Sequence, residues 1–383
     1  MSAPAAPALA GTEEHPHARM VLGGGLASGA PSHAYLFHGP SGSGKRTAAR
    51  ALAAELLTEG DRDPESVRRR VHAGSHPDLT WVRPTGAHVM RVDDVEQPVI
   101  SAATRTPFES GRRVFVLERA ETMNDEVANR MLKTLEEPAP FVHIVLLTDA
   151  IGQMLDTVIS RCQLVRFEPL PAERVAAGLE RDGVDPARAA ACARLGLGDA
   201  SRARFLAGQE GTALRRDVGV LVNATLAGAD RGPTAEEPWR GILTRADARR
   251  AEVESELERR GAARLELVPK GRERRAVERE LEESRTRDAR RARTEVLELG
   301  IELTALAFRD LACLAEGVPE AVLATDQATE ELAATARARD PRRLREAVER
   351  CEETRQSLEL NVTEELALSA LFLRLERLVG AAG

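Results

Sequence analysis

The sequence is short of aromatic residues: Phe, Trp and Tyr together make up 3% of 383 residues, with a single tyrosine and two tryptophans. Stacking platforms for single-stranded bases need exposed rings, so that mode of recognition has little to work with. Cysteine is scarce too. Cys162, Cys192, Cys313 and Cys351 are scattered and form no CxxC pair, which argues against a zinc knuckle or a disulfide framework and fits reduced thiols. No stretch reaches transmembrane length without charges, and no basic segment followed by a long apolar run stands near the N-terminus. The expectation is a cytoplasmic protein with no membrane partner. An excess of positive charge is also missing: 54 Lys and Arg face 61 Asp and Glu, a formal net charge of -7 with pI about 5.8. The surface as a whole is therefore not a polyanion binder, although a local basic face is compatible with these totals.

What is present is ordinary globular material, 43% hydrophobic and 30% charged, long enough for two or three domains. Residues 1–11 read as a disordered tail. Between Pro31 and Glu168 short apolar runs alternate with helical stretches: Ala34–Phe37, Leu79–Val82, Val114–Leu117, Ile144–Leu147 and Leu164–Phe167. Buried runs separated by helices predict an α/β domain with a parallel sheet flanked by helices, over 1–168. After Pro169-Leu170-Pro171 an Ala/Arg/Leu-rich stretch predicts a small helical domain over 169–228, broken at Gly196–Asp199, and Gly228–Pro238 reads as a linker. The remainder, 229–383, reads as all-α. Within it a highly charged segment, 245–293, carries the spaced pairs Val253/Leu257 and Val277/Leu281 around the turn Pro269-Lys270-Gly271. It predicts two long helices, folded back or projecting, with a solvated face of intrahelical ion pairs and not a nucleic-acid patch. Leu299, Leu303 and Leu306, and then Leu368, Leu371, Leu375 and Leu378, mark helices of a packed bundle.

The chemistry concentrates in one loop and one strand end. Gly39-Pro40-Ser41-Gly42-Ser43-Gly44-Lys45-Arg46 follows the first apolar run and precedes a helix, the context of a phosphate-binding loop. Its glycines (Gly39, Gly42, Gly44) let backbone N–H groups face phosphate oxygens, and Lys45 supplies positive charge. Where a Ser or Thr hydroxyl would bind Mg²⁺ stands Arg46, and Thr47 comes one residue late. Two readings stand side by side: a loop that holds nucleotide, and a loop that keeps its shape and binds nothing. The strand Val114–Leu117 ends in Glu118-Arg119-Ala120-Glu121. Hydrolysis in this layout calls for two adjacent acids, and an arginine in second place cannot act as a base. Hydrolysis at this site is not expected.

The order of later motifs is more specific. Asn129–Pro138 contains Leu-Glu-Glu-Pro, Ile144–Asp149 follows, and then Ser160-Arg161-Cys162; His33–Pro40, Ser75–Leu79 and Leu360–Thr363 fit the same pattern. From about residue 31 to the C-terminus, the charged segment excepted, the chain resembles the clamp-loader branch of the AAA+ superfamily, within it the delta-prime-like subunits of bacterial DNA polymerase III. The resemblance implies a AAA+ P-loop domain, a helical lid and a helical collar. It implies a stator that lacks intrinsic catalysis yet belongs to a DNA-directed DNA polymerase (nucleotidyltransferase) complex. Its partners would be gamma/tau- and delta-type subunits in a hetero-pentamer, a sliding clamp, and primer-template DNA. It also implies that Arg161 reaches the γ-phosphate of a neighbour's ATP, that Thr148 and Arg202 occupy sensor positions, and that ATP is the nucleotide of this loop, with or without Mg²⁺. Many members carry a four-cysteine zinc module before the His-Pro-Asp-Leu tract. Residues 56–74 contain no cysteine, and His72 with His76 cannot close a tetrahedral site, so no zinc is expected. Two alternatives remain: an ATP-hydrolysing gamma/tau-type motor, against which Arg46 and Arg119 speak, and a P-loop kinase, which leaves Ser-Arg-Cys unexplained.

Overall fold

The computed structural model describes all residues except 1–8, 11, 14, 86–88, 229–236, 267–270, 325–333, 359–361 and 381–383. The linker expected at 228–238 therefore lies mostly outside the described residues. The chain divides into two compact units. One comprises residues up to 171 together with 198–200, the other 172–197 with 201–383. The stretch expected as collar falls in the second, and so does the one expected as lid except for 169–171 and 198–200.

In the first unit, α1 (Pro16–Ala27) leads to β1 (Ala34–His38), and the loop after β1 opens into α2 (Lys45–Thr58). Then come α3 (Pro64–Ala73), β2 (Leu79–Val82), α4 (Val92–Val95), β3 (Arg113–Leu117), α5 (Asp125–Glu136), β4 (Val142–Thr148), α6 (Asp156–Ile159) and β5 (Gln163–Arg166). All five expected strands are present, within two residues at each end. They form a parallel sheet in the order β2-β3-β4-β1-β5. Alternating side chains point to opposite faces, so each strand serves two cores. Tyr35, Phe37, Val114, Val116, Val145 and Leu147 pack against α1, α2 and α3. Leu36, Phe115, Leu117, Ile144 and Leu146 pack against α4, α5 and α6.

Two features of the N-terminal region differ from the sequence reading. Leu9, assigned to a disordered tail, is 2% exposed and sits in the first of these cores. Helix α1 lies in a stretch to which the sequence analysis assigned no element; Gly23-Gly24-Gly25 lies inside it and glycine is a poor helix former, but burial of Ala18 and Leu22 outweighs that cost. The His-Pro-Asp-Leu tract has a structural task. The buried Asp78 carboxylate accepts hydrogen bonds from the backbone N–H groups of Phe108, Glu109 and Ser110 at 2.6, 3.0 and 3.0 Å, fixing the turn before β3.

The second unit is helical: α7 (Ala172–Arg181), α8 (Pro186–Leu195), α9 (Ala200–Ala207, whose first residue groups with the first unit), α10 (Gln209–Ala227), α11 (Arg240–Glu266), α12 (Arg272–Ala315), and two further helices, Pro341–Ser357 and Glu364–Val379. Of the two arrangements open for the charged segment, the structure adopts the folded-back one. A methyl group on Gly261 would lie 3.5 Å from Leu281, Arg285 reaches Glu258 at 3.6 Å, and Arg293 reaches Asp247 at 2.6 Å, the register of an antiparallel hairpin. Helix α12 has 44 residues, about 66 Å at ~1.5 Å per residue, and so continues from the hairpin into the bundle. There Leu303, Leu368, Leu371 and Leu375 are buried, whereas Leu299, Leu306 and Leu378 are half-buried.

Candidate functional site

The loop 39–44 leaves the carboxyl end of β1 between its neighbours β4 and β5, where the sequence places Gly39 and Gly42 for steric reasons. At Gly39 φ is +142° and an added Cβ would lie 1.9 Å from the carbonyl oxygen of Phe167. At Gly42 φ is +66° and a Cβ would lie 1.8 Å from Asp199 Oδ1. Gly44 caps α2 in the left-handed region. A glycine-turned loop opening a helix is the general arrangement for holding phosphate.

The side chains in it are engaged with one another. Lys45 Nζ donates to the carbonyl oxygens of Gly39 and Pro40, each at 2.5 Å, and pairs with Asp149 Oδ1 at 2.7 Å. Burial pulls the Lys45 ammonium below its usual pKa, against the opposing pull of Asp149 and a smaller one from Asp199. His15 adds a further tie. Its Nδ1 accepts from the Glu168 N–H, so Nε2 carries the proton and donates to the Ser43 carbonyl at 2.6 Å.

At the end of β3, Glu118 is 1% exposed. Its carboxylate accepts from Arg46 NH2 at 2.7 Å, from Trp81 Nε1 at 2.7 Å and from Arg83 Nε at 3.3 Å. Burial alone would raise its pKa; Arg46 and Arg83 outweigh that and, with the indole bond, leave it below the usual carboxylate value. Arg119 adopts φ 54° and lies 3.8 Å from Glu121. Thr148 Oγ1 donates to Glu121 Oε2 at 2.8 Å and accepts from the Ala150 N–H at 3.1 Å, fixing the turn that carries Asp149. Thr47 is exposed on α2.

The donor set does not fit a magnesium ion. The position for a hydroxyl ligand holds the Arg46 guanidinium, and the acid that could reach a metal is already saturated by two guanidiniums and an indole. Among the described residues no group of three or more His, Cys, Asp or Glu side chains is placed to hold a metal ion.

Arg161 lies apart from the loop. Strands β1 and β5 run parallel with Tyr35 opposite Gln163 and His38 opposite Arg166, so Arg161 precedes the amino end of the edge strand while the loop follows the carboxyl end. The four paired residues alone separate those ends by about 13 Å at ~3.3 Å each. Arg161 Nε donates to Glu136 Oε1 at 2.6 Å and NH1 to the Thr157 carbonyl at 2.9 Å; its side chain is 33% exposed. Cys162 beside it is half-buried, and desolvation pushes its thiol up to about 12. Arg202 belongs to the second unit, where it pairs with Glu302 at 2.7 Å.

Sequence reasoning singled out the loop, Glu118 and Arg161, but not the side chains set against them, Asp149, Asp199, Glu136 and His15. The one available signal was the acid immediately after Thr148. It faces the loop because β4 lies next to β1, with Thr148 opposite His38.

Known proteins share this part of the chain. The family described as DNA polymerase III, delta subunit, matches residues 14–171. DNA polymerase III subunit delta' of Bacillus subtilis is 35% identical over 178 residues, covering 45% of this chain and 54% of that protein. The Pseudomonas aeruginosa protein of the same name is 38% identical over 155 residues, covering 39% and 46%. The chain thus spans about half the length of the curated relatives it matches. Among solved structures, a DNA polymerase III gamma subunit-related protein of Thermotoga maritima aligns over 91% of this chain and 95% of its own, with 17% identity and a TM-score of 0.41. By these sequence matches, residues 14–171 are similar to the delta-prime subunits of DNA polymerase III.

Proposed function

We propose that this chain is a clamp-loader subunit that hydrolyses no ATP itself and supplies Arg161 to ATP bound by a neighbouring subunit. The observation that carries the reading is the separation of Arg161 from the chain's own loop by the length of the sheet. A guanidinium at the amino end of an edge strand cannot serve the loop at the carboxyl end, which supports a role toward a second molecule. Its planar fork suits the equatorial oxygens of a γ-phosphoryl group in transfer, where it neutralises developing charge. Glu136 holds the guanidinium until then; both partners are partly exposed, so release costs about 0–1 kcal/mol.

The loop itself is then a frame. Lys45 with Gly39, Gly42 and Gly44 keeps the shape of a nucleotide site, and Arg46 with Glu118 closes the metal position. Thr148 fixes the turn presenting Asp149 to Lys45, and Arg202 is proposed as the sensor arginine of the helical unit, with Glu302 as its resting partner. The partners proposed are gamma/tau- and delta-type subunits in a hetero-pentamer, with the sliding clamp and primer-template DNA handled by the whole. The test is the purified chain with ATP and Mg²⁺. No turnover is expected, and calorimetric heats of ATP titration should be the same with and without Mg²⁺; measurable turnover would make the chain a motor subunit and overturn the proposal.

A further inference from the structure

The α11–α12 hairpin is electrically uneven. Its stem, 245–258 with 280–293, carries eight arginines and nine acids, net -1. The helix ends next to the turn, 259–266 and 271–279, carry seven arginines and three acids, net +4, on a chain whose total is -7. Among the described side chains the ion pairing follows the same division. In the stem six of the eight arginines are paired, among them Arg245 with Asp217 at 2.8 Å, Arg291 with Glu295 at 3.0 Å and Arg293 with Asp247 at 2.6 Å. Near the turn Arg274 pairs with Glu278 at 3.2 Å, whereas Arg259, Arg275 and Arg279 are exposed with no acidic partner among the described residues. Arg275 and Arg279 are four apart on one helix and therefore share a face.

We infer that this end of the hairpin docks on the phosphate backbone of duplex DNA. Three properties select that partner. Exposed guanidiniums with no acidic partner among the described residues match phosphate oxygens, and binding releases the counterions condensed on a polyanion. No Phe, Trp or Tyr occurs from 245 to 293, so there is nothing on which unstacked bases could rest, and backbone contact with a duplex remains. No large hydrophobic side chain is exposed among the described residues of that span, so the apolar anchors of a protein–protein hot spot are missing. The choice of DNA as the polyanion rests on the clamp-loader reading; the basic surface does not.

The experiment is fluorescence anisotropy of the full chain with a labelled duplex, titrated across about 50–200 mM salt. Binding should weaken linearly in log–log form as salt rises. The triple variant R259A/R275A/R279A should bind less tightly and lower the slope by up to about 2.7, from three contacts at ~0.9 each. A stem control, R249A/R291A, should leave the slope unchanged, and melting curves confirm that both variants fold. The inference is overturned if the unaltered chain shows no salt-sensitive duplex binding, or if the triple variant keeps its slope. It is equally overturned if the triple variant loses association with another loader subunit or the clamp while duplex binding is intact. ATPase assays on Arg161 variants report on the clamp-loader reading independently, so the two failures are distinguishable.

Discussion

Two arginine–glutamate pairs at opposite ends of one sheet show how similar chemistry takes on different duties. At the carboxyl end, the Glu118 carboxylate is buried at 2% side-chain exposure and receives Trp81 together with Arg46 and Arg83, whose own side chains are 61% and 51% exposed. At the amino end, Arg161 and Glu136 are 33% and 45% exposed and meet at the protein surface. A sealed carboxylate cannot give up its cations without leaving a buried charge, whereas a surface pair opens for little. The first pair is therefore architecture and the second is available to a partner. The loop and Glu118 are tied by buried contacts, and the arginine proposed to act on a neighbour is held loosely.

The sharpest way to break this contrast is to strip the cations from the sealed acid. Arg46→Ala with Arg83→Ala leaves the buried Glu118 with the Trp81 indole alone; because the two guanidiniums are 61% and 51% exposed and so partly screened, denaturant unfolding should show a loss of about 1–3 kcal/mol. A loss below 1 kcal/mol would mean the pair is not architectural.

A pH titration comes next, through a third polar site at the amino end. His143 is 1% exposed; its Nδ1 donates to the Ser32 carbonyl and its Nε2 accepts from Arg112, itself paired with Glu59, while His33 stacks on the ring at 5.5 Å. Burial brings its pKa down to about 4; the Ser32 bond resists this, and Arg112 and His33 add to it. An unfolded histidine titrates near 6.5, so between these values the unfolded chain binds more protons. Stability is complete above pH 6.5 and falls as pH drops toward 4, by about 3 kcal/mol in all. Melting curves of His143→Gln should lack that slope between pH 6.5 and 4.5; an unchanged slope would assign it to other groups.

The smallest effect belongs to the surface pair. Glu136→Ala should change stability by no more than about 0.5 kcal/mol in the same denaturant assay, against about 1–3 kcal/mol for the buried site. A comparable loss at both ends would erase the distinction between them.

The five strands were legible because parallel strands buried on both faces read as apolar runs bounded by polar turns, as in Val114–Leu117 and Ile144–Leu147. Helix α1 was not, since its stability comes from Ala18 and Leu22 packing into a core and not from local propensity. The loop and Glu118 were legible as local motifs. Asp149 and Asp199 were not, because they approach the loop only through strand order and chain return; Glu136 is separated from Arg161 by 25 residues for the same reason. The charged hairpin was legible as two helices, but the uneven distribution of its ion pairs requires the antiparallel register.

The most direct measurement is the DNA-stimulated ATPase of a reconstituted loader carrying Arg161→Ala, beside one carrying Lys45→Ala. Turnover at the neighbouring site completed by Arg161 should fall by a factor of about 10³ or more, while Lys45→Ala leaves it near the unaltered rate. Full activity with Arg161→Ala, or loss with Lys45→Ala in a folded assembly, would contradict the account.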